Sequence, residues 1–213
     1  MRMYIKLVLC VSIAVLTGVL AQLSFWLGPI PYTFQNTGVV LAGLLLDPLY
    51  AFLSMVFYVV FVMIGLPMAA GFRGGIHVVL GYTGGYIMGF IFSAPLMSIL
   101  KKYYLKLRNR EFSYLRLVDF VLLLLLTLIT TLPIYILGFI VFAYHVLGNE
   151  KLMSWVYSVS NLLRISSYNK IFILFVVSVL VFIPQDLFMD HVVAIILARY
   201  IHRILVFKGV KIE

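Results

Sequence analysis

The sequence predicts an all-α integral membrane protein with six transmembrane helices, and three observations carry that reading. Of 213 residues, 64% are hydrophobic and only 11% are charged, whereas soluble domains carry roughly 25% charged residues. The apolar residues fall in runs of the length a bilayer demands, about 20 residues per helix. The basic residues collect on one side of those runs, the pattern by which membrane proteins record their orientation. The net charge of +9 is read in that sense rather than as affinity for nucleic acid, and residues 1–213 read as a single membrane domain.

The first run, "YIKLVLCVSIAVLTGVLAQLSFWLG", is too long for a secretory signal and lacks a small-residue cleavage site, so it is expected to be span one, residues 4–27. It contains Cys10, and a lone cysteine excludes a disulfide framework. Spans two (35–47) and three (48–65) are separated at Asp47-Pro48, because proline disfavours helix at the residue before it. Span two is short: its residues at ~1.5 Å each reach only about 20 Å, against a hydrocarbon core of about 30 Å. The preceding loop, "GPIPYTF", is therefore expected below the outer surface, where irregular backbone must line a cavity or be packed over.

Span four is expected over 81–100, followed by the basic linker "KKYYLKLRNREFSYLR" (101–116) and span five over 117–147. Residues 148–169 are polar by this chain's standards. Span six is expected over 185–205, after Pro184. With both termini inside, the cytoplasmic face holds Arg2, Lys6, Lys101, Lys102, Lys106, Arg108, Arg110, Arg116, Arg199, Arg203, Lys208 and Lys211. Only Arg73, Lys151, Arg164 and Lys170 then lie outside. A full crossing by 170–183 would reverse the C-terminal group, so that segment is expected to dip in from the outer side and return.

Polar groups are costly in a bilayer and tend to face inward and serve function. Four segments bring them to the outer third: Gln22; Thr33, Gln35 and Asn36; Arg73, His77, Thr83 and Tyr86; Gln185 and Asp186. Aromatic residues Trp26, Tyr32, Phe34, Phe72 and Tyr82 lie beside them. An apolar pocket with a few placed polar groups is the usual form of a small-molecule site. Plainer roles compete: Trp26 as a membrane-interface residue, Thr33 and Asn36 as helix caps, His77 as a structural loop residue, and the glycines of "GGIHVVLGYTGGYIMGF" (74–90) as helix-packing positions. Asp186, flanked by "LVFIP" and "LFM", is the residue hardest to account for as a cap alone. Asp190 and His191 are adjacent and point about 100° apart on a helix, so they do not form a relay or metal pair. No HExxH, GxSxG or P-loop pattern occurs. Catalysis is therefore not indicated, and ATP-driven work would need another chain.

At these residues the chain resembles the BioY family, the biotin-binding S components of energy-coupling-factor transporters. "AVLTGVLAQLS" (14–24), "PIPYTFQNTGVVLAGLLLDP" (29–48), "GLPMAAGFRGG" (65–75), "LGYTGGYIMGF" (80–90) and "FIPQDL" (182–187) carry the resemblance in order. It implies the S-component fold, with a re-entrant or interfacial segment before the last helix, and a cell-membrane protein with both termini cytoplasmic. It further implies a biotin pocket open to the outside, no cofactor, and association with a membrane T component and two ATP-binding subunits. From the polar cluster and the glycine stretch, taken with this resemblance, the expected substrate residues are Thr33, Gln35, Asn36, Arg73, His77, Gly84, Gly85, Tyr86, Gln185 and Asp186. The small residues Cys10, Ala14 and Gly18 resemble the face that docks the T component; internal packing explains their spacing as well. The chain departs from the family pattern P-G-D-L-x-K in having Gln185 and Met189, and Tyr82 replaces the proline of G-P-T-G-G-Y. The resemblance thus leaves Arg73 as the nearest basic partner for a ligand carboxylate. An S component for another vitamin, an ion-coupled carrier and a small membrane enzyme remain as alternatives.

Overall fold

The structure, a computed structural model, describes residues 3–26, 30–109, 112, 116–165 and 169–209. Arg2, Arg110 and Lys211 of the charge pattern, position 27 at the end of the expected span one, and residues 28–29 of the prolyl loop lie outside the described residues. The helices are α1 (Met3–Gln22), α2 (Gln35–Leu45), α3 (Pro48–Met63), α4 (Ile76–Val79), α5 (Gly84–Arg108), α6 (Leu117–Thr130), α7 (Leu132–Leu147) and α8 (Glu150–Leu162). A ninth helical run, α9, spans Lys170–Phe207. Among the described residues, four stretches are long and apolar enough to cross a membrane: α1, α5, the continuous α6–α7 run and α9. α3 is a shorter apolar helix.

Successive runs alternate in direction between two ends of the bundle. At one end Lys6 and Lys102 both pair with Asp47, and Arg108 meets Asp119 at 3.4 Å. The ring of Phe112 lies 5.5 Å from that of His202. We call this the linker end. At the opposite end Gln22, closing α1, donates to the carbonyls of Pro67 (3.3 Å) and Ala69 (3.1 Å) and accepts from the Phe72 amide at 2.8 Å. That end carries the cavity described below.

All residues of α2 are buried. At 1.5 Å per residue it is about 16 Å long, half the apolar thickness of a bilayer, so both its ends fall where free backbone groups have no water to meet. Side chains from other helices supply the partners. Asp190 accepts from the Thr37 amide at 2.9 Å at its start. Lys101 donates to the Leu44 carbonyl at 3.0 Å, and Ser98 to that of Leu46 at 2.6 Å, at its finish. Pro48 then opens α3 at its first position, where a missing N–H costs nothing.

Three features differ from the sequence expectation. The segment around the prolyl loop forms a small antiparallel hairpin, β1 (Ser24–Trp26) against β2 (Pro31–Thr33), with Phe25 opposite Tyr32. Strand pairing satisfies backbone that would otherwise be unpaired at membrane depth, and span one accordingly stops at Gln22. Residues 150–162 form the amphipathic helix α8, capped by Asn149, whose side chain accepts from the Lys151 and Leu152 amides. The segment expected to dip and return instead belongs to one helical run with the last span. Val181 and Phe182, which would have to reverse the chain, keep helical dihedrals (φ −65°, ψ −28° and φ −85°, ψ −26°). The extra length is absorbed by two π segments, Val176–Leu180 and Asp186–His191, on either side of Pro184. A proline disrupts the α ladder, and π turns are a common way to absorb such a break.

Candidate functional site

The hairpin, the 66–73 loop, the first turns of α2, α5 and α7, and the interior of α9 around Pro184 surround a cleft that is open at its mouth. Apolar walls come from Ile30, Ala69, Ala70, Val78, Ile87, Phe90, Ile134 and Phe182. Tyr32 is stacked between Phe25 (4.7 Å between ring centres) and Phe182 (4.3 Å), which fastens the hairpin over the cleft. Such stacked aromatics hold a covering segment through area and ring geometry together. Burial, and to a smaller degree the charge of Asp186, raises the Tyr32 phenol above its ordinary pKa.

Thr33, Gln35, Asn36, Arg73, Tyr86, Gln185 and Asp186 all line this cleft. Gln35 is set by two contacts: its Oε1 accepts from the Thr33 hydroxyl at 2.9 Å, and its Nε2 donates to the Tyr58 phenol. Tyr58 passes the chain on to the Met68 carbonyl at 3.1 Å. Tyr86 reaches across to the Ser178 carbonyl at 2.7 Å, at the first π segment of α9. Among the described residues, Arg73 and Asp186 are the two charged residues of the lining. Arg73 lies over the Trp26 ring at 4.9 Å and donates from Nε to the Ala70 carbonyl at 2.9 Å. Among the described residues it pairs with no carboxylate. Phe72 beside it holds φ of 56°, a strained value for a bulky residue, and this turn is pinned by Gln22.

Asp186 is buried, and Tyr135 donates to its Oδ2 at 2.6 Å; the Asn36 side chain also reaches this carboxylate. Two buried carbonyl oxygens close by, Asn36 Oδ1 and Gln185 Oε1, have no hydrogen-bond donor. The site therefore presents more acceptors than the protein satisfies.

Three sequence-expected residues are not in the lining. His77 is exposed, its ring folded back against Gly75, which has φ of 105°. Gly84 and Gly85 allow close backbone packing. A side-chain carbon on Gly84 would collide with the Val79 carbonyl, and one on Gly85 with the Leu137 carbonyl of α7. The small-residue face of α1 also points elsewhere than expected. Cys10, Ala14 and Gly18 are buried inside the bundle, with the Cys10 carbonyl accepting from Ser54 at 2.8 Å and Gly18 pressed against Met68. Small size there lets α1 approach α3 and the 66–73 loop.

Sequence reasoning passed over Tyr135, the one direct hydroxyl partner of Asp186 given by the structure, and gave Asp190 no role. Asp190 is fully buried. It holds Thr37 through the amide at 2.9 Å and the hydroxyl at 3.0 Å, and accepts from Gln185 Nε2 at 2.5 Å. His191 turns away to the Thr127 hydroxyl at 2.9 Å, so the two neighbours indeed share no partner. A tyrosine and an acid inside otherwise apolar runs were the available signals.

The BioY family model matches residues 2–206. The chain is 51% identical over 75 residues to a probable biotin transporter BioY of Pyrococcus horikoshii, covering 35% of this chain and 46% of that protein. It is 41% identical over 80 residues to the biotin transporter BioY of Thermotoga maritima, covering 38% and 47%. The match thus spans just under half the length of these curated relatives. The fold is similar to that of the S-component for biotin from an ECF-type ABC transporter, with a TM-score of 0.69 and 23% identity over 93% of this chain and 90% of that one. With the family's pattern matched from the first helix to the last, the chain belongs to the BioY family.

Proposed function

We propose that the protein is the biotin-binding S component of an energy-coupling-factor transporter, a membrane subunit that binds its vitamin and has no catalytic role or cofactor. The observation that carries this reading is the buried Asp186 carboxylate at the wall of a mostly apolar cleft, with Arg73 as the only cation among the described residues lining it. Biotin's ureido ring supplies N–H donors, which a desolvated carboxylate accepts in strong, charge-assisted bonds. Its thioether ring and aliphatic tail suit walls such as Phe90, Ile87 and Phe182. Its own carboxylate suits Arg73, whose planar guanidinium is the better fork for such a group. Met189, which stands where the family pattern has lysine, is exposed and outside the lining, so it takes no part.

The same reading sets the cleft toward the outside of the cell membrane and both termini in the cytoplasm. Nine described basic residues gather toward the linker end, while Arg73, Lys151, Arg164 and Lys170 lie toward the other. That is the positive-inside arrangement. α1, α2, α3, α5, α6–α7 and α9 are then the six membrane helices, with α2 sheltered by the rest. Biotin captured in the cleft passes inward through a T component and two ATP-binding subunits, since this chain carries no nucleotide motif.

Calorimetric titration of the purified protein with biotin tests the reading, alongside mass spectrometry of small molecules that co-purify. Saturable binding at one site supports it. Stabilisation by a different vitamin in a thermal-shift panel, with none by biotin, would refute it.

A further inference from the structure

Gln185 sits where Pro184 gives way to the π segment that begins at Asp186. On an α-helix, residues five apart are turned about 140° from each other. The i→i+5 ladder of a π turn stacks them instead, and here it brings the Gln185 amide onto Asp190. Gln185 Nε2 donates to Asp190 Oδ2 at 2.5 Å and to the Thr33 carbonyl at 3.1 Å. A primary amide has two N–H donors and one carbonyl, so both donors are committed. Asp190 is itself held on its other side: its Oδ1 accepts from the amide and hydroxyl of Thr37, and it is fully buried.

The direction of the Gln185 amide is therefore decided by its neighbours. Turning it over would set its oxygen against a carboxylate oxygen and a backbone carbonyl, both acceptors. What remains is Oε1, buried and without a donor, on a residue of the cleft lining. An unpaired buried acceptor is costly, and a ligand that brings an N–H to it removes that cost.

We propose that Gln185 is a specificity-determining acceptor for a ligand N–H, and that Asp190 is the residue that positions it. The inference rests on the biotin reading, in which the ureido ring supplies that N–H. It deepens the reading by assigning one ring nitrogen to a residue other than Asp186. The site would then reject ligands in which that nitrogen carries no hydrogen.

The test uses the full chain in detergent, titrated calorimetrically with biotin and with the two analogues singly methylated at either ureido nitrogen. The parent is expected to bind biotin and to bind at least one analogue about thirtyfold more weakly. Gln185→Met, which keeps length and removes the acceptor, is expected to weaken biotin about tenfold and to shrink the gap for one analogue to about threefold or less. Asp190→Asn frees the amide to turn and is expected to narrow the same gap in protein that elutes as a folded species. A role in packing alone would weaken all three ligands together and leave the gap unchanged. Should Asp190→Asn not fold, Gln185→Met decides alone. The parent's full discrimination retained in Gln185→Met overturns the proposal while leaving the biotin reading intact. No biotin binding by the parent overturns that reading and this proposal with it.

Discussion

Tyr135 donates its phenolic hydroxyl to Oδ2 of Asp186 at 2.6 Å, joining the first turn of α7 to the second π segment of α9 across 51 positions of sequence. The contact leaves the second carboxylate oxygen for other donors and fixes the carboxylate plane in the cleft. It also ties α7 to α9 at the wall of the cavity.

From that pairing follows the first prediction. Asp186→Asn keeps the shape but loses charge and an acceptor, and charge-assisted hydrogen bonds contribute about 1.5–3 kcal/mol each. Biotin affinity is expected to fall on the order of tenfold to a few hundredfold. Tyr135→Phe frees the carboxylate to turn and should cost less, about tenfold or below. Calorimetry on the two variants checks the order; an Asp186→Asn variant that binds like the parent would show that the carboxylate only supports the helix.

Ala14 is fully buried, whereas its neighbour Val15, turned about 100° round α1, is 46% exposed. Overpacking a filled interior costs about 1–3 kcal/mol and sometimes more. Ala14→Trp is therefore expected to lower the melting temperature in detergent and to weaken biotin binding along with it. Val15→Trp should leave both near the parent values. Equal stability of the two variants would mean that Ala14 has room the structure does not show.

The orientation is checked by single cysteines. In a Cys10→Ala background, Lys106→Cys, Lys151→Cys and Lys208→Cys place thiols at exposed positions of the two ends. An impermeant thiol reagent added to intact cells is expected to label position 151 and spare 106 and 208. Labelling of 106 or 208 before lysis contradicts the proposed topology.

Asp47 links the linker-end lysines and predicts an acid-side loss of stability. Burial alone would raise its carboxyl, but hydrogen bonds from Lys102 and Lys6, with their charges, outweigh this and hold it below the ordinary value. A group whose pKa is lower folded than unfolded contributes fully above the unfolded value, about 3.9 for aspartate. That contribution disappears as pH falls through the folded value. Melting temperature followed downward from pH 7 should therefore drop more steeply below about pH 4 for the parent than for Asp47→Asn. Parallel curves would show that the lysine pairs contribute no net stability, as many exposed pairs do.

The membrane class, the positions of most helical runs and the grouping of polar residues near one end are legible in the order of amino acids alone. Those properties are local: apolar run length, proline breaks and basic flanks act within a few residues of where they are read. Pro48 ended one helix and began the next because its ring constrains the adjoining backbone wherever it occurs. Which polar residue faces which partner depends on how the helices pack. Thr37 meets Asp190 across 153 positions, and Gln185 meets the Thr33 carbonyl across 152. No spacing rule reaches that far. The same holds for the small face of α1, which looks alike in sequence whether it meets another subunit or its own bundle. The last run reads as two pieces because proline is a helix breaker; folded, it is one piece, since π turns take up the break and its neighbours hold it in line. That accommodation turns Gln185 toward Asp190, and it depends on packing around the helix rather than on the residues of the helix alone.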